Sequence, residues 1–249
     1  MERRSGLIKF TDMTPSDLIS EIRAYCAANA DEANVIRYSR YFKGGFNAYG
    51  LANGMVEAKV KELLQDKGID IIMILDTAPE LVKSEKYEET GFALLMLNQR
   101  HKHYSRKVFE AIESWFAFGI HNWAHADMLG MWILPDLIKQ QVVMMEDFRP
   151  WLKSGFKFQR RCVPVTLIKS LKTTDDFNVL FDFIEPLMTD REREVHQGCG
   201  WFLREAWKIK REVTEAFLLK HKDTAPRLII QYATEKMTKE ERLRFRKEK

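Results

Sequence analysis

A chain of 249 residues, 45% of them hydrophobic, can bury a substantial core without disulfides or structural metals. Its three cysteines, Cys26, Cys162 and Cys199, are widely spaced and form no CxxC pair, which argues against a disulfide framework and a zinc knuckle. The N-terminal residues contain no apolar signal core, and no run of about 18 apolar residues occurs in the sequence. These features predict a cytoplasmic protein that does not interact with membranes.

The formal net charge is only +4, but the basic residues are unevenly distributed. Basic residues outnumber acidic ones from residue 204 onward. The stretch 149–172 contains no acidic residue and seven basic ones: Arg149, Lys153, Lys157, Arg160, Arg161, Lys169 and Lys172. Such segregation favours a basic face for a polyanion, whereas charge runs in general often form only a solvated surface. The charge pattern alone leaves both interpretations open.

The first half of the chain carries a succession of helix signals. Thr14 is an N-cap residue followed by Pro15 and by apolar residues at helical spacing. A second helix is predicted over residues 31–42, ending before two glycines, and a third over residues 56–64. The apolar run Ile69–Leu75 is the main strand candidate, and we interpret it as a buried helix, although periodicity alone does not separate the two.

The second half continues the same pattern. Residues 86–100 and 105–118 are typical of a helix pair with a short basic link, and Pro135 and Pro150 are predicted to interrupt the middle of the chain. Helices joined by short links, without β-α alternation, predict an all-α fold in a single domain, residues 1–249. The spacing of about 40 residues per helical pair favours an α-solenoid of HEAT-like repeats with a concave basic groove. A compact irregular bundle is the alternative.

The stretch His121–Leu129, HNWAHADML, is the first candidate site. Trp123 and Asp127 are four residues apart, so they lie on one face of a helix that Asn122 is expected to cap. A carboxylate near a helix N-terminus is favoured in its ionised form by about 0.3–1 kcal/mol. The pair is therefore either a functional site or a core tryptophan beside a surface carboxylate.

A metal site in the same stretch is the weaker interpretation. His121 and His125 are four residues apart, but Asn122 occupies the position that glutamate takes in HExxH. If Asn122 caps the helix, His121 lies outside it and the two imidazoles do not share a helix face. No phosphate-binding glycine loop suggests a nucleotide cofactor either.

Three further segments stand out. They are FQRRCVPV over Phe158–Val165, GCGWFLREAWK over Gly198–Lys208, and the aromatic, glycine-rich YFKGGFNAYGLANG over Tyr41–Gly54. Each is weak evidence by itself, because a helical tryptophan is usually core and an arginine pair often forms ordinary salt bridges.

Together and in order, NWxxxD at Asn122–Asp127, QRR at Gln159–Arg161 and GWxLRE at Gly200–Glu205 resemble three signature segments of one family. That family is the bacterial DNA alkylation repair glycosylases of the AlkD type, and the resemblance spans nearly the whole chain. It implies a HEAT-like solenoid that holds duplex DNA in its groove. It also implies hydrolysis of the N-glycosidic bond of cationic alkylated purines, such as N3-methyladenine and N7-methylguanine, without base flipping.

The resemblance implies roles for particular residues. Asp127 would be the catalytic carboxylate, Trp123 and Trp201 the aromatic residues of the cleft, and Arg161 the arginine near a phosphate. Further DNA contacts are expected from Arg160, Tyr41, Lys43 and Lys157. We expect a monomer that acts on double-stranded DNA containing alkylated bases and uses no cofactor or metal.

The chemistry of this reaction suits these residue types. Alkylation gives the base a positive charge, so the glycosidic bond loosens towards an oxocarbenium-like sugar. Aromatic faces stabilise a cation by about 0.5–2 kcal/mol each, and a fixed carboxylate stabilises the developing charge and orients a water. An arginine fork binds phosphate in a way that lysine does not.

Two departures from the family pattern stand in the sequence. Ala124 follows the tryptophan where relatives often have an acidic residue, and the turn around Gly50 lacks the family's usual proline. They bear on the N-terminal DNA contacts more than on the chemistry. A non-catalytic helical-repeat protein that binds DNA or acts as a protein scaffold is the main alternative.

Overall fold

The computed structural model describes residues 13–247, apart from the Asn53 side chain. This part of the chain consists of α-helices and short 3₁₀ or π turns without a β-strand, which confirms the all-α prediction. It divides into two compact units, one ending at Tyr104 and the other beginning at Ser105. The single domain and the concave groove of a solenoid stay predictions.

The described residues of the first unit, 13–104, form five helices, and the first of them begins as predicted. Thr14 caps the first helix through a reciprocal pair of hydrogen bonds with Asp17, of 3.2 and 3.0 Å. The second helix, capped by Asp31, ends at Ser39 and so is shorter than predicted. The helices are α1 (Pro15–Ala28), α2 (Glu32–Ser39), α3 (Asn53–Leu63), α4 (Ile71–Lys83) and α5 (Tyr87–Gln99), followed by a 3₁₀ turn at His101–His103.

The ambiguous run Ile69–Leu75 forms the start of helix α4. Asp70 caps this helix by accepting hydrogen bonds from two backbone N–H groups, each at 2.9 Å. The helical prediction is confirmed, but burial applies to only one face, because Ile74 is fully buried whereas Ile72 is 65% exposed. A helix with one apolar face is the ordinary outcome when it packs on one side only.

A single carboxylate fixes the loop between α2 and α3. Glu88 on α5 accepts hydrogen bonds from the N–H groups of Tyr49, Gly50 and Leu51 at 2.8, 2.7 and 3.0 Å, and it is only 2% exposed. Gly50 has a φ of +90°, and a Cβ there would collide with the Asp31 carbonyl. The glycine-rich segment around Gly50 is therefore a fixed turn.

In the second unit, residues 105–247 form eight helices. They are α6 (Arg106–Trp115), α7 (Trp123–Met128), α8 (Leu134–Lys139), α9 (Lys157–Ser170), α10 (Phe177–Ile184), α11 (Arg193–Ile209), α12 (Arg211–His221) and α13 (Arg227–Ala233). Four 3₁₀ turns occur at Met145–Phe148, Pro150–Lys153, Glu185–Thr189 and Glu241–Phe245. Helix α11 packs against both α9 and α13, and α9 also packs against α7, so α9 and α11 form the centre of this unit. Among the described residues, no helix combines the length and apolar composition needed to cross a bilayer.

Helices α7 and α8 are joined by the π-helical turn Leu129–Ile133 into one continuous segment, Trp123–Lys139. Pro135, which the sequence predicts as an interruption, lies inside this segment. A proline removes one N–H donor and crowds the preceding turn, and a π turn just before it is a common way to accommodate the change. The prediction of an interruption at Pro135 is therefore wrong, while Pro150 does begin a separate 3₁₀ turn.

Candidate active site

The NWxxxD segment forms the start of helix α7. Asn122 caps the helix, because its Oδ1 accepts the His125 N–H at 3.0 Å, and its Nδ2 lies 2.9 Å from the His125 ring nitrogen Nδ1. Trp123 is therefore the first helical residue, as predicted, and its side chain is 40% exposed. Asp127 follows one turn later on the same face. The predicted N-cap thus places an accessible indole beside a carboxylate.

Arg161 on α9 holds Asp127 through a two-pronged ion pair. Its Nε and Nη2 donate hydrogen bonds to Asp127 Oδ1 and Oδ2, each at 2.8 Å. The Arg161 side chain is 7% exposed and that of Asp127 is 16% exposed. This is the parallel geometry in which arginine binds a carboxylate most strongly. Asp127 is therefore held in a fixed orientation while its side chain stays partly accessible to solvent.

A third hydrogen bond anchors the arginine to α11. Arg161 Nη1 donates to the carbonyl oxygen of Glu194 at 2.7 Å. Burial lowers the pKa of Arg161, but the hydrogen bonds and charge of Asp127 outweigh it and leave that pKa raised. The guanidinium therefore remains charged and connects α7, α9 and α11 at a single point.

Trp201 lies half-buried on α11, seven residues after Glu194 and thus on the same helix face. The packing around it depends on two glycines. A Cβ on Gly198 would lie 3.2 Å from Arg161 Cγ, and a Cβ on Gly200 would collide with the Cβ of Tyr232 on α13. Only glycine lets both neighbouring helices approach α11 this closely.

Arg160, the other arginine of the QRR segment, is bound within the protein. Its Nε and Nη2 donate to the two carboxylate oxygens of Asp190 at 2.6 and 3.2 Å, and its Nη1 donates to the Ser154 carbonyl at 2.6 Å. The geometry assigns Arg160 to fixing the segment before α9. A DNA contact by Arg160 stays a prediction.

Lys157 also has acidic partners. Its Nζ lies 3.1 Å from Glu194 and 3.9 Å from Glu192, and the side chain is partly exposed. The stretch 149–172 has no acidic residue of its own, but acids from α7, α11 and the turn before α11 neutralise part of its charge. Four of its basic residues, Arg149, Lys153, Lys169 and Lys172, are exposed.

The remaining predicted contacts, Tyr41 and Lys43, belong to the first unit. Both are exposed, and Arg40 stacks on the Tyr41 ring with its Nη2 2.9 Å from the Tyr41 hydroxyl. They lie in the loop whose later part Glu88 fixes. Their contact with DNA stays a prediction.

The two histidines of the stretch are placed differently. His125 is buried on α7 beside Asn122, while His121 precedes the helix. Within residues 13–247 no group of three or more His, Cys, Asp or Glu side chains is arranged to hold a metal ion.

Sequence reasoning missed several residues that build this site. The Glu194 carbonyl binds Arg161, Asp190 binds Arg160, and Gln197 on α11 donates a hydrogen bond to the Tyr232 hydroxyl at 2.7 Å. These pairings join residues about 30 positions apart, so no local pattern reveals them. The glycine pair Gly198 and Gly200 was the one available signal, because glycine inside a helix often marks close packing.

The family of this chain follows from its similarity to known proteins. No curated protein in the comparison matches the chain. The chain is similar to a solved structure described as a predicted DNA alkylation repair enzyme from Enterococcus faecalis, at 15% identity and a TM-score of 0.72, over 85% of this chain and 98% of the other. It is also similar to smu.31 from Streptococcus mutans UA159, at 17% identity and a TM-score of 0.57, over 83% and 99% of the two chains. Such low identities show a shared fold. The family model for DNA alkylation repair enzymes, however, matches residues 22–237, and the chain therefore belongs to the DNA alkylation repair enzyme family.

Proposed function

We propose that this protein is a DNA glycosylase of base excision repair that hydrolyses the N-glycosidic bond of cationic alkylated purines in duplex DNA. N3-methyladenine and N7-methylguanine are the expected substrates, and the base is released without being flipped into a pocket. The observation that carries the proposal is the Asp127 carboxylate, held by Arg161 on the helix face where Trp123 is exposed. Membership of the family supports a role in repair of alkylated DNA.

The proposed reaction needs an anion more than it needs an acid. An alkylated purine already carries a positive charge, so its departure requires no protonation and leaves an oxocarbenium-like deoxyribose. A carboxylate whose orientation is fixed before the reaction stabilises this cation without reorganising. Asp127 is suited to that task and to orienting the water that attacks the sugar carbon.

Arg161 is proposed to act through Asp127. It uses three N–H groups on Asp127 and Glu194, so its main effect is to fix the carboxylate. Trp123 and Trp201 are proposed to offer aromatic faces to the cationic base, an interaction of about 0.5–2 kcal/mol each. Aromatic faces also favour the charged, alkylated base over a neutral one.

Affinity for undamaged duplex is proposed to come from exposed basic side chains such as Arg149, Lys153, Lys169 and Lys172. Each lysine or arginine that neutralises a phosphate releases a counterion, so binding weakens as salt is raised. This contribution carries no sequence information and suits an enzyme that searches DNA for rare lesions.

The test is incubation of the protein with methylated duplex DNA, followed by chromatographic detection of free bases. Release of N3-methyladenine or N7-methylguanine above the spontaneous rate supports the proposal. Duplex binding without release would replace it with a non-catalytic DNA-binding role. Absence of binding even at low salt would favour a protein scaffold.

A further inference from the structure

Tyr232 on α13 packs on a different side of α11 from Arg161, and its hydroxyl reaches Gln197. Its Cβ packs directly against Gly200, where any side chain would collide with it. Its hydroxyl oxygen accepts a hydrogen bond from Gln197 Nε2 at 2.7 Å. Glu194, Gln197 and Trp201 follow one another at helical spacing, so they share one face. The tyrosine hydroxyl therefore binds a residue that lies one helical turn from Glu194 and one turn from Trp201.

The hydroxyl proton of Tyr232 is not used within the described part of the protein. A phenol has one O–H donor, and the contact with Gln197 uses the oxygen as acceptor. No acceptor for that proton is found among residues 13–247, and the tyrosine is only half-buried. A held phenol oxygen with an unused proton is ready to donate to a ligand.

The geometry of α11 links this tyrosine to the site. Glu194, whose carbonyl oxygen binds Arg161, lies one helical turn before Gln197, which binds the Tyr232 hydroxyl. A ligand oxygen bound by Tyr232 would therefore lie near the part of α11 that anchors Arg161.

We propose that Tyr232 is a further DNA-binding residue of this site, whose hydroxyl, oriented by Gln197, donates a hydrogen bond to a backbone phosphate oxygen of the duplex. The inference rests on the proposed function for the location of the DNA, but it concerns binding and not bond cleavage. Tyrosine hydroxyls are common phosphate donors, and such contacts fix the register of a protein on the backbone. A neutral donor adds affinity without adding a counterion effect.

The test compares Tyr232→Phe with wild type by fluorescence anisotropy on an unmodified duplex at several salt concentrations. Because the ring and its packing at Gly200 are kept, we expect the dissociation constant to rise by about ten- to 150-fold, as for loss of a hydrogen bond to a charged group. The slope of affinity against salt should stay unchanged, since no charge is removed. A dissociation constant within twofold of wild type would overturn the proposal.

Two controls separate this role from a structural one. Tyr104→Phe removes a buried tyrosine hydroxyl that donates to the Leu97 carbonyl in the first unit, so it should lower stability without weakening DNA binding. Gln197→Met should weaken binding less than Tyr232→Phe, and the double variant should bind no more weakly than Tyr232→Phe alone. If the losses of binding free energy in the two single variants add fully in the double variant, Gln197 does not act through Tyr232 and the proposed orientation is wrong.

The outcomes also distinguish this proposal from the glycosylase. If wild type binds duplex but releases no base, the proposed function fails and the comparison of dissociation constants still decides the role of Tyr232. If Tyr232→Phe binds like wild type but releases bases more slowly at saturating enzyme, the hydroxyl acts in the chemistry and the phosphate contact is wrong. Absence of any wild-type binding to duplex would overturn both.

Discussion

Arg161 faces Asp127 side-on, with two parallel hydrogen bonds of 2.8 Å joining the guanidinium to the two carboxylate oxygens. This relationship changes the interpretation of both residues. The resemblance implies two separate roles, in which Arg161 lies near a phosphate and Asp127 is the catalytic carboxylate. In the structure the arginine is the support of the carboxylate, so the two are expected to act as one unit.

Asp127→Asn should abolish base release. The variant keeps the size of the side chain but removes the negative charge that stabilises the developing sugar cation, a loss we expect to exceed about 100-fold in rate. Single-turnover release of N7-methylguanine from methylated duplex measures it. Duplex affinity measured in parallel should be largely retained, and release at the wild-type rate would show that Asp127 is not the catalytic group.

Arg161→Lys should lose most base release while the cation is formally kept. A lysine ammonium cannot form the two parallel hydrogen bonds, so Asp127 loses its fixed orientation. The unfolding free energy, measured by urea denaturation, should fall, and Arg161→Met should lower it by about 3–5 kcal/mol because a partly buried carboxylate is left unpaired.

The double variant Asp127→Asn with Arg161→Met tests this coupling. Removing both charges should restore part of the stability lost in Arg161→Met, since no unpaired ion then remains. Strictly additive losses in the double variant would mean that the ion pair does not link the two residues energetically.

Local signals in the sequence located the elements well, because caps act within a few residues. Thr14, Asn122 and the Tyr41–Gly54 turn segment are found where their side-chain chemistry or glycine content predicts them. The interruption predicted at Pro135 is wrong, since a π turn accommodates the proline within one continuous helical segment. The helical assignment of Ile69–Leu75 was correct for a run that periodicity alone leaves ambiguous.

The site was only partly predictable, because charges on distant segments pair in the fold. The acid-free stretch 149–172 suggests a uniformly basic surface, yet Arg160 is bound to Asp190 and Arg161 to Asp127. These partners are about 30 residues away in the chain. The order of the motifs in the sequence indicates that Asp127 and Arg161 belong to one site. Only the packing of α9 on α7 and α11 shows which groups each side chain contacts.

Gly200→Ala should destabilise the second unit and slow base release. The new methyl group would collide with the Tyr232 side chain and approach the Ile229 carbonyl at 2.9 Å, so α13 must move. Overpacking of this kind costs about 1–3 kcal/mol, which denaturant unfolding measures. Gly91→Ala on α5 is the matched control, because its Cβ meets nothing within 4 Å and the change should stabilise by about 0.5–1 kcal/mol. Equal effects at both glycines would contradict the packing argument.

Stability should decline as the pH rises above about 9 because of the buried thiols. Burial raises the pKa of Cys26 from 9.0 to about 12, and burial raises those of Cys162 and Cys199 further. Above pH 9 the unfolded chain loses these protons while the folded protein keeps them, so the unfolded state gains relative stability. Urea midpoints between pH 7 and 10 measure the trend, and alkylation of the native protein by iodoacetamide at pH 8 should be very slow.

Cys26→Ala provides the control for the alkaline loss. The variant removes one raised thiol, so its urea midpoint should vary less with pH than that of the wild type, even if its overall stability is lower. An identical pH dependence in the two proteins would assign the alkaline loss to other groups.

The π turn at Leu129–Ile133 means that the number of residues in this helical segment of a relative predicts the local structure. A π turn corresponds to one residue more than a regular α-helix of the same span, so deleting a single residue there allows an uninterrupted α-helix to form. Because the π turn takes up its extra residue locally, this deletion leaves the helical residues on both sides in their present orientation. Asp127, which lies before the turn, would still face Arg161, and Leu134–Lys139 would keep its packing site. A deletion in a regular part of the segment would instead rotate one side by about 100° relative to the other. A family member one residue shorter at the π turn should therefore have a regular α-helix there and a carboxylate in the same place.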